Sequence, residues 1–402
     1  MIREQKKIVM LGDVNLNTPN AGRVHFLNLA KEFSRLGLRV IVILPKSKKN
    51  INFPDEKFKI RFTRAYWYKN HFPRAVLTYP FFLPLCAREF FQNPDFFYVR
   101  ISPLMFAPIW LVKILKKVFR KPQIKIIGEV NGWLEEELGT VKMGKMKRFL
   151  EKWFFKWSIC SCDCLRAVTP ELKKLCESKF SISPERILVA GNGTDTEQFR
   201  PIDKNKARKE LSINPQTFWI GFVGGLFRWQ GLHYLLDGLP LILKEIPNAK
   251  LLIVGDGPEL QPLKGRAKEL GIEEKSVFEG SVPSEKVPLY INSFDIAVAP
   301  FTKEREISGT SALKMYEYMA CGVAIVASRM KNFEFLEKEG AGVLVEPENS
   351  EKLARVIIEL FKNPQERLRM GRVARRLAKE QFSWQKIANQ ITDYVENQQQ
   401  YK

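Results

Sequence analysis

Apolar runs of strand length recur along this chain, and most are followed by a stretch with helical spacing. In the first half they are Lys7 to Leu11, Arg39 to Leu44, Ile124 to Ile127 and Cys164 to Val168. In the second half they are Trp219 to Val223, Lys250 to Val254, Val277 to Glu279, Asp295 to Ala299, Val323 to Ala327 and Gly342 to Val345. Between the first two runs, Phe26, Leu29, Ala30 and Phe33 form a stripe that predicts a helix over roughly Gly22 to Leu36, with Gly37 ending it. This alternation restricts the chain to parallel sheets with crossover helices, because a parallel connection needs a return of helix length. At 402 residues the chain exceeds what one core holds, so two such domains are expected. Their boundary is placed near Phe199-Arg200-Pro201, before a polar stretch from Ile202 to Ile213. From Tyr66 to Lys121 prolines and aromatics crowd together, and the pattern predicts only irregular structure.

The positive charge is unevenly spread. The net charge is +21, and residues 1–200 hold 36 Lys and Arg against 18 Asp and Glu, so most of the excess lies in the first half. Such asymmetry predicts an anionic partner for that half: a membrane surface, a phosphorylated lipid or a nucleic acid. No helix-turn-helix, RNA-recognition or finger signature accompanies it, so a nucleic-acid partner is not expected. The opening run is too short for a signal peptide, and the longest uncharged apolar run, Ala75 to Ala87, is broken by Pro80 and Pro84. A cytoplasmic protein, peripheral on the cytosolic face of a membrane, is expected. Cys160, Cys162 and Cys164 lack the two-apart pairing of zinc sites and are expected to be small buried hydrophobes. With no Asp-x-Asp motif either, no metal is expected.

The chemistry concentrates between the runs Asp295 to Ala299 and Val323 to Ala327. There Ser308-Gly309-Thr310-Ser311-Ala312-Leu313-Lys314 leads into Met315-Tyr316-Glu317-Tyr318-Met319-Ala320-Cys321-Gly322. Thr310 and Ser311 are good N-caps, so a helix is predicted to start there. A helix start offers unpaired amides and partial positive charge to an anion. Lys314 adds a full charge, and Glu317, three residues on, shares its face. Amides and a lysine for phosphates, with a carboxylate for two neighbouring hydroxyls, suit a nucleotide. Phe222-Val223-Gly224-Gly225-Leu226-Phe227-Arg228 and Val254-Gly255-Asp256-Gly257 each place glycines at a strand end, where ligands of open α/β sheets bind. Arg228 could grip a phosphate with two hydrogen bonds.

The segment Ser308 to Gly322 resembles the donor-binding helix of retaining family 4 glycosyltransferases, in the subset reading Ser-Pro-Leu-Lys…Glu-Tyr-Met-Ala-x-Gly, with Ala312 in place of the proline. Many relatives carry two glutamates eight residues apart; the second corresponds to Glu317, while Gly309 stands at the first and Glu304 and Glu306 are out of register. Asn192-Gly193-Thr194-Asp195 with Phe199-Arg200-Pro201 is similar to the family's connector, and Phe382-Ser383-Trp384 to the lead-in of its last helix. The resemblance covers almost the whole chain. It implies an α/β GT-B fold: two Rossmann-like, doubly wound parallel-sheet domains facing a cleft. Residues 1–198 would be the acceptor-binding domain and 199–382 the nucleotide-sugar domain, with 383–402 a helix crossing back to the first.

The implied activity is sugar transfer with retention from a nucleotide-diphosphate donor to a glycan or lipid-linked acceptor, in cell-surface polysaccharide or glycolipid synthesis. Arg228, Lys314 and Glu317 would carry the chemistry, and Gly22, Gly224, Gly225, Gly255, Val282, Thr310, Ser311, Ala312 and Leu313 would line the donor. Relatives often carry Arg at the Gly225 position and Lys at the Gln230 position, and two adjacent glycines where this chain has Ala21-Gly22. Gly128-Glu129-Val130-Asn131-Gly132-Trp133 is similar to the loop that faces the acceptor, which gives Glu129 and Asn131, with His25, as acceptor-side residues. The alternative is a catalytically weak member acting as a binding partner in a glycan-assembly complex, a reading that Gly309, Gly225 and Gln230 favour.

Met143 to Ser158 is predicted to be a helix with Met143, Met146, Leu150, Trp153 and Trp157 on one side and Lys145, Arg148, Lys152 and Lys156 on another. Pro103 to Lys121 is similar, with Phe106, Ile109, Trp110 and Leu111 before five basic residues. Each is either an interfacial membrane segment or a domain helix with its apolar stripe in the core.

Overall fold

Strand β1 (Lys7–Leu11) is buried along its whole length, as a strand between two helix layers must be. The computed structural model describes residues 5–14, 21–46, 58–66, 72–134, 144–306 and 312–400. After β1 come α1 (Ala21–Arg35), β2 (Arg39–Lys46), β3 (Lys59–Tyr66), α2 (Phe72–Phe90), β4 (Phe96–Arg100), α3 (Phe106–Val118), β5 (Lys125–Val130), α4 (Lys145–Ser161), β6 (Cys164–Ala167), α5 (Pro170–Phe180) and β7 (Ile187–Val189). The seven strands form one parallel sheet in the order β3-β2-β1-β4-β5-β6-β7. Alternate residues face opposite layers. Val9, Leu11, Ile41, Ile43, Phe97 and Val99 join one core cluster with residues of α2, α3, α4 and α5, whereas Tyr98 meets Phe33 of α1 on the other side.

The second unit runs α6 (Lys204–Glu210), β8 (Phe218–Val223), α7 (Leu232–Glu245), β9 (Ala249–Val254), α8 (Leu260–Glu269), β10 (Ser276–Gly280), α9 (Val287–Ser293), β11 (Ile296–Ala299), α10 (Leu313–Cys321), β12 (Ala324–Ser328), α11 (Glu334–Lys338), β13 (Gly342–Val345), α12 (Ser350–Lys362) and α13 (Pro364–Glu380). Its six strands are parallel in the order β10-β9-β8-β11-β12-β13. Two clusters cover its faces. One joins α9, α10 and α13 to the sheet, and the other joins α7, α8 and α12. Each fully buried Leu, Ile or Phe there contributes roughly 1.5–3 kcal/mol by leaving water.

The last helix, α14 (Trp384–Gln400), belongs to the first compact unit, which comprises residues 1–192 with 384–402; residues 193–383 form the second. It packs on α1, burying Trp384, Ile387, Ile391 and Val395.

The α1 stripe is buried as the spacing predicts, with Phe26, Leu29, Ala30 and Phe33 fully enclosed. Irregular structure from Tyr66 to Lys121 is not what forms: α2, β4 and α3 occupy it. Pro80 and Pro84 obscure α2 in the sequence, since proline in a helix interior forfeits a hydrogen bond. Burial of Phe82, Cys86 and Phe90 offsets that cost. The six cysteines are free, and all except Cys160 are buried.

Candidate active site

In each sheet the chain runs outward from a central pair of strands, β1 and β4 in the first unit and β8 and β11 in the second. The carboxyl ends at such a reversal point are where open α/β sheets bind ligands. In the second unit β8 ends in Gly224, with φ of +142°, and the neighbouring β9 ends in Gly255, with φ of +141°. L side chains rarely take that conformation. A Cβ on Gly224 would lie 2.7 Å from Lys314 Nζ, and one on Gly255 would strike the Gly224 carbonyl. Tyr318 locks α10 to the same strand end, its hydroxyl accepting from Val223 N at 2.8 Å.

Lys314 is buried. Its ammonium donates to Gln230 Oε1 at 2.7 Å and lies 3.7 Å from the centre of the Phe222 ring. Burial drives its pKa well below that of an ordinary lysine; Glu317 opposes this and Arg305 adds to it. Burial likewise pushes the Glu317 carboxyl up to about 7, against the pull of Lys314. An arriving polyanion would favour the charged form of Lys314. Gln230 is the partner that sequence reasoning missed. Arg305 was missed too: its guanidinium lies 4.4 Å from the centre of the Trp229 ring, which in turn stacks on Phe227.

Arg228 is exposed, with Nη1 3.8 Å from Glu259 Oε2. Gly225 lies under the Phe227 ring, where a Cβ would come within 2.7 Å of it. Val282 is half-buried against the core, beyond the Gly280 carbonyl that accepts from Gly255 N. Ala312 and Leu313 are half-buried at the start of α10. The helix does not begin on a Ser or Thr cap: Ala312 holds the cap position, with no side-chain hydrogen bond. Thr310 and Ser311, with Gly309, lie outside the described residues.

In the first unit, Glu129 is not on a loop. Strand β5 continues to Val130, carrying Glu129 inside, fully buried. Its carboxylate pairs with Arg166 Nη1 at 2.8 Å, accepts from the Tyr98 hydroxyl and the Asn131 amide, and lies 2.9 Å from His25 Nε2. Burial alone would raise its pKa, but the charged and hydrogen-bonding partners hold it well below the carboxylate range. The guanidinium of Arg166 is the permanent charge in this network, while burial lowers the pKa of His25 against the pull of Glu129. Arg166 also donates to the carbonyls of Ala190 and Gly191. His25 stacks on Trp384 with ring centres 5.7 Å apart. None of these links could be read from sequence spacing.

Asn131 and Arg100 line a cavity of about 160 Å³ at the ends of β4 and β5, with Asp13 and Ser102. Gly22 lets the Arg100 guanidinium approach α1, since a Cβ there would lie 2.5 Å from Nη1. The first-unit residues therefore form a buried network, Glu129 and His25, that Asn131 joins through its amide while also lining the open recess. Among the described residues no three His, Cys, Asp or Glu side chains converge as a metal site would need.

The family model for group 1 glycosyl transferases matches residues 203–377, and that for glycosyltransferase family 4 matches residues 22–198. The chain belongs to glycosyltransferase family 4. An uncharacterized glycosyltransferase of Methanocaldococcus jannaschii is 27% identical over 355 residues, 86% of this chain and 88% of that protein. Among solved structures, sucrose-phosphate synthase from Thermosynechococcus elongatus superposes with a TM-score of 0.78 at 17% identity, over 99% of this chain and 100% of that one. Anabaena HepE in complex with UDP gives 0.71 at 18% identity, over 97% and 100%. These likenesses identify the fold of this family 4 member as GT-B.

Proposed function

We propose that this protein transfers a sugar, with retention of anomeric configuration and without a metal ion, from a nucleotide-diphosphate donor to a glycan or lipid-linked acceptor in cell-surface polysaccharide or glycolipid synthesis. The observation that carries this reading is the placement of Lys314 and Glu317 on one turn of α10, with Lys314 beside the Gly224 strand end. A diphosphate set against Gly224 and the start of α10 meets the Lys314 ammonium, and Glu317 accepts from the ribose hydroxyls. Gln230 releases the ammonium to the ligand. Arg228, at the mouth, swings from Glu259 to the outer phosphate.

Transfer then needs little from a protein base. The leaving phosphate takes the acceptor proton while Lys314 and the helix amides stabilise the charge developing on it. Asn131 and the recess around it offer hydrogen bonds to acceptor hydroxyls. The basic first half suits an acceptor carried on lipid, with the protein peripheral on the cytosolic face of the membrane.

A thermal-shift panel with UDP, GDP, ADP, CMP and dTDP tests the donor site. A nucleotide at 100 times its dissociation constant adds about 2.7 kcal/mol of stability. One clear responder is expected, and it names the base. Silence across the panel from folded protein would overturn the donor reading and leave a binding partner in a glycan-assembly complex.

A further inference from the structure

Among the described residues, nine of the thirteen exposed large hydrophobic side chains fall between Phe81 and Trp153, on or beside α2, α3 and α4. They are not scattered. Trp110, Ile114 and Val118 follow at four-residue steps on α3, and Met146, Phe149 and Trp153 at three and four on α4. Each trio therefore forms one helix stripe. Phe106, one turn before Trp110, joins the two: its ring lies 5.7 Å from Trp153 and 4.5 Å from Trp157. At the far end of α3, Phe119 meets the exposed Phe91 ring at 5.0 Å.

The core faces of these helices are different and already satisfied. On α3 they are Ile109 and Val112; on α4 they are Phe155 and Ile159. The sequence pattern had set Met146 and Trp153 in one stripe with Leu150 and Trp157. In the structure Trp157 packs against the core cluster, whereas Met146 is 72% and Trp153 47% exposed. An unpartnered stripe of this size is uncommon on a soluble surface.

The charge around it decides what fits. Residues 103–121 and 144–161 together carry ten lysines and arginines against a single acid, Glu151, which Lys147 faces at 4.0 Å. Lys113 and Lys117 on α3 and Lys152 and Lys156 on α4 are exposed beside the aromatics. Trp and Phe at the boundary between an apolar stripe and a cationic rim match the interface of an anionic bilayer, where rings sit at headgroup depth and long cationic side chains reach the phosphates.

We propose that the joined outer stripes of α3 and α4 enter the headgroup region of an anionic lipid bilayer, as a wedge that inserts rather than a patch that hovers. This deepens the peripheral part of the proposed function and is independent of the donor chemistry in the second unit. Insertion by the apolar stripe and attraction by the cationic rim separate in their response to salt, because screening removes only the second.

The test uses the full chain and vesicles of phosphatidylcholine, alone or mixed with phosphatidylglycerol. Sedimentation with the mixed vesicles at low ionic strength is expected, with a measurable fraction remaining bound at about 0.5 M salt, where the screening length shrinks to a few Å. The double variant Trp110→Ser, Phe149→Ser should lose that salt-resistant fraction by ~tenfold or more, since two large apolar side chains no longer leave water. Both positions are solvent-exposed, so the thermal unfolding of the variant should match the parent and report an intact first unit. Failure to sediment with mixed vesicles at low salt would overturn the proposal. Unchanged salt-resistant binding in the double variant would also overturn it. So would lipid-free self-association abolished by the same variant, which would assign the stripe to a second copy of the chain.

Discussion

Glu317→Gln separates the stability of the second unit from its activity. The Glu317 carboxyl titrates near 7 in the folded chain, against 4.5 for an ordinary glutamate, because burial outweighs the attraction of Lys314. The sign follows from proton counting. Between those two values the folded chain binds more protons than the unfolded one, so the stability this group contributes is fully present below the lower value and is lost as pH rises through the upper. Keeping the buried carboxylate ionised at alkaline pH costs up to ~3 kcal/mol. Partial exposure of the carboxylate reduces the recoverable part to about 1–2 kcal/mol. Glutamine keeps the shape and removes the titration, so at about pH 8 the variant should melt roughly 2–8 °C above the parent for a unit of this size. Near pH 4.5 the two should coincide. Turnover should move the other way, falling at least ~10-fold if a charge-assisted hydrogen bond to the donor worth about 1.5–3 kcal/mol is lost. Thermal unfolding at both pH values, paired with initial rates, checks both halves. A variant less stable than the parent at alkaline pH, or a gap identical at both values, would refute the reasoning about burial; full activity would remove Glu317 from the donor site.

Gln230→Lys should destabilise the ligand-free chain, because a second ammonium would replace the oxygen that Lys314 now reaches at 2.7 Å. A loss of about 1–3 kcal/mol is expected, read as a lowered melting point that a nucleoside diphosphate restores; an unshifted melting point would show that the two groups are not in contact. Glu129→Gln should cost about 3–5 kcal/mol, since it strands the buried Arg166 guanidinium, and urea unfolding reads it directly. Glu129 titrates below the carboxylate range, so its contribution is present above the unfolded value near 4 and lost as pH falls further, and the variant should flatten that part of the acid-unfolding curve. Asn131→Ala should cost less, about 1–3 kcal/mol for the lost donor to Glu129, and raise the KM for the acceptor, which steady-state kinetics would reveal.

The sheets were legible because parallel strands buried on both faces read as continuous apolar runs, and the glycines that end β8 and β9 mark those ends. Lys314 and Glu317 were legible because their partners are local: three residues on one helix fix their relation. Gln230 was not, since its contact spans 84 residues and its meaning depends on the Lys314 ammonium reaching it. The same holds for Glu129, whose partners Tyr98 and Arg166 lie 31 and 37 residues away on neighbouring strands. Spacing made Glu129 look like a loop residue because glycine and asparagine beside it imitate a turn; only the register of β5 against β4 and β6 draws it inward. Helix α4 failed differently. It has apolar residues on two sides, and periodicity cannot say which side meets the core when both would suit it.

The return of α14 to the first unit has a consequence for synthesis. The surface of α1 that receives Trp384, Ile387 and Ile391 is complete before residue 40, yet its cover is made some 350 residues later. At roughly 5–20 residues per second, translation leaves that apolar surface waiting for tens of seconds. The second unit is continuous in sequence and can close first. While the second unit is being made the first therefore stays uncovered, and a chaperone acting on the nascent chain would find its binding surface on the earlier, not the later, part of the polypeptide.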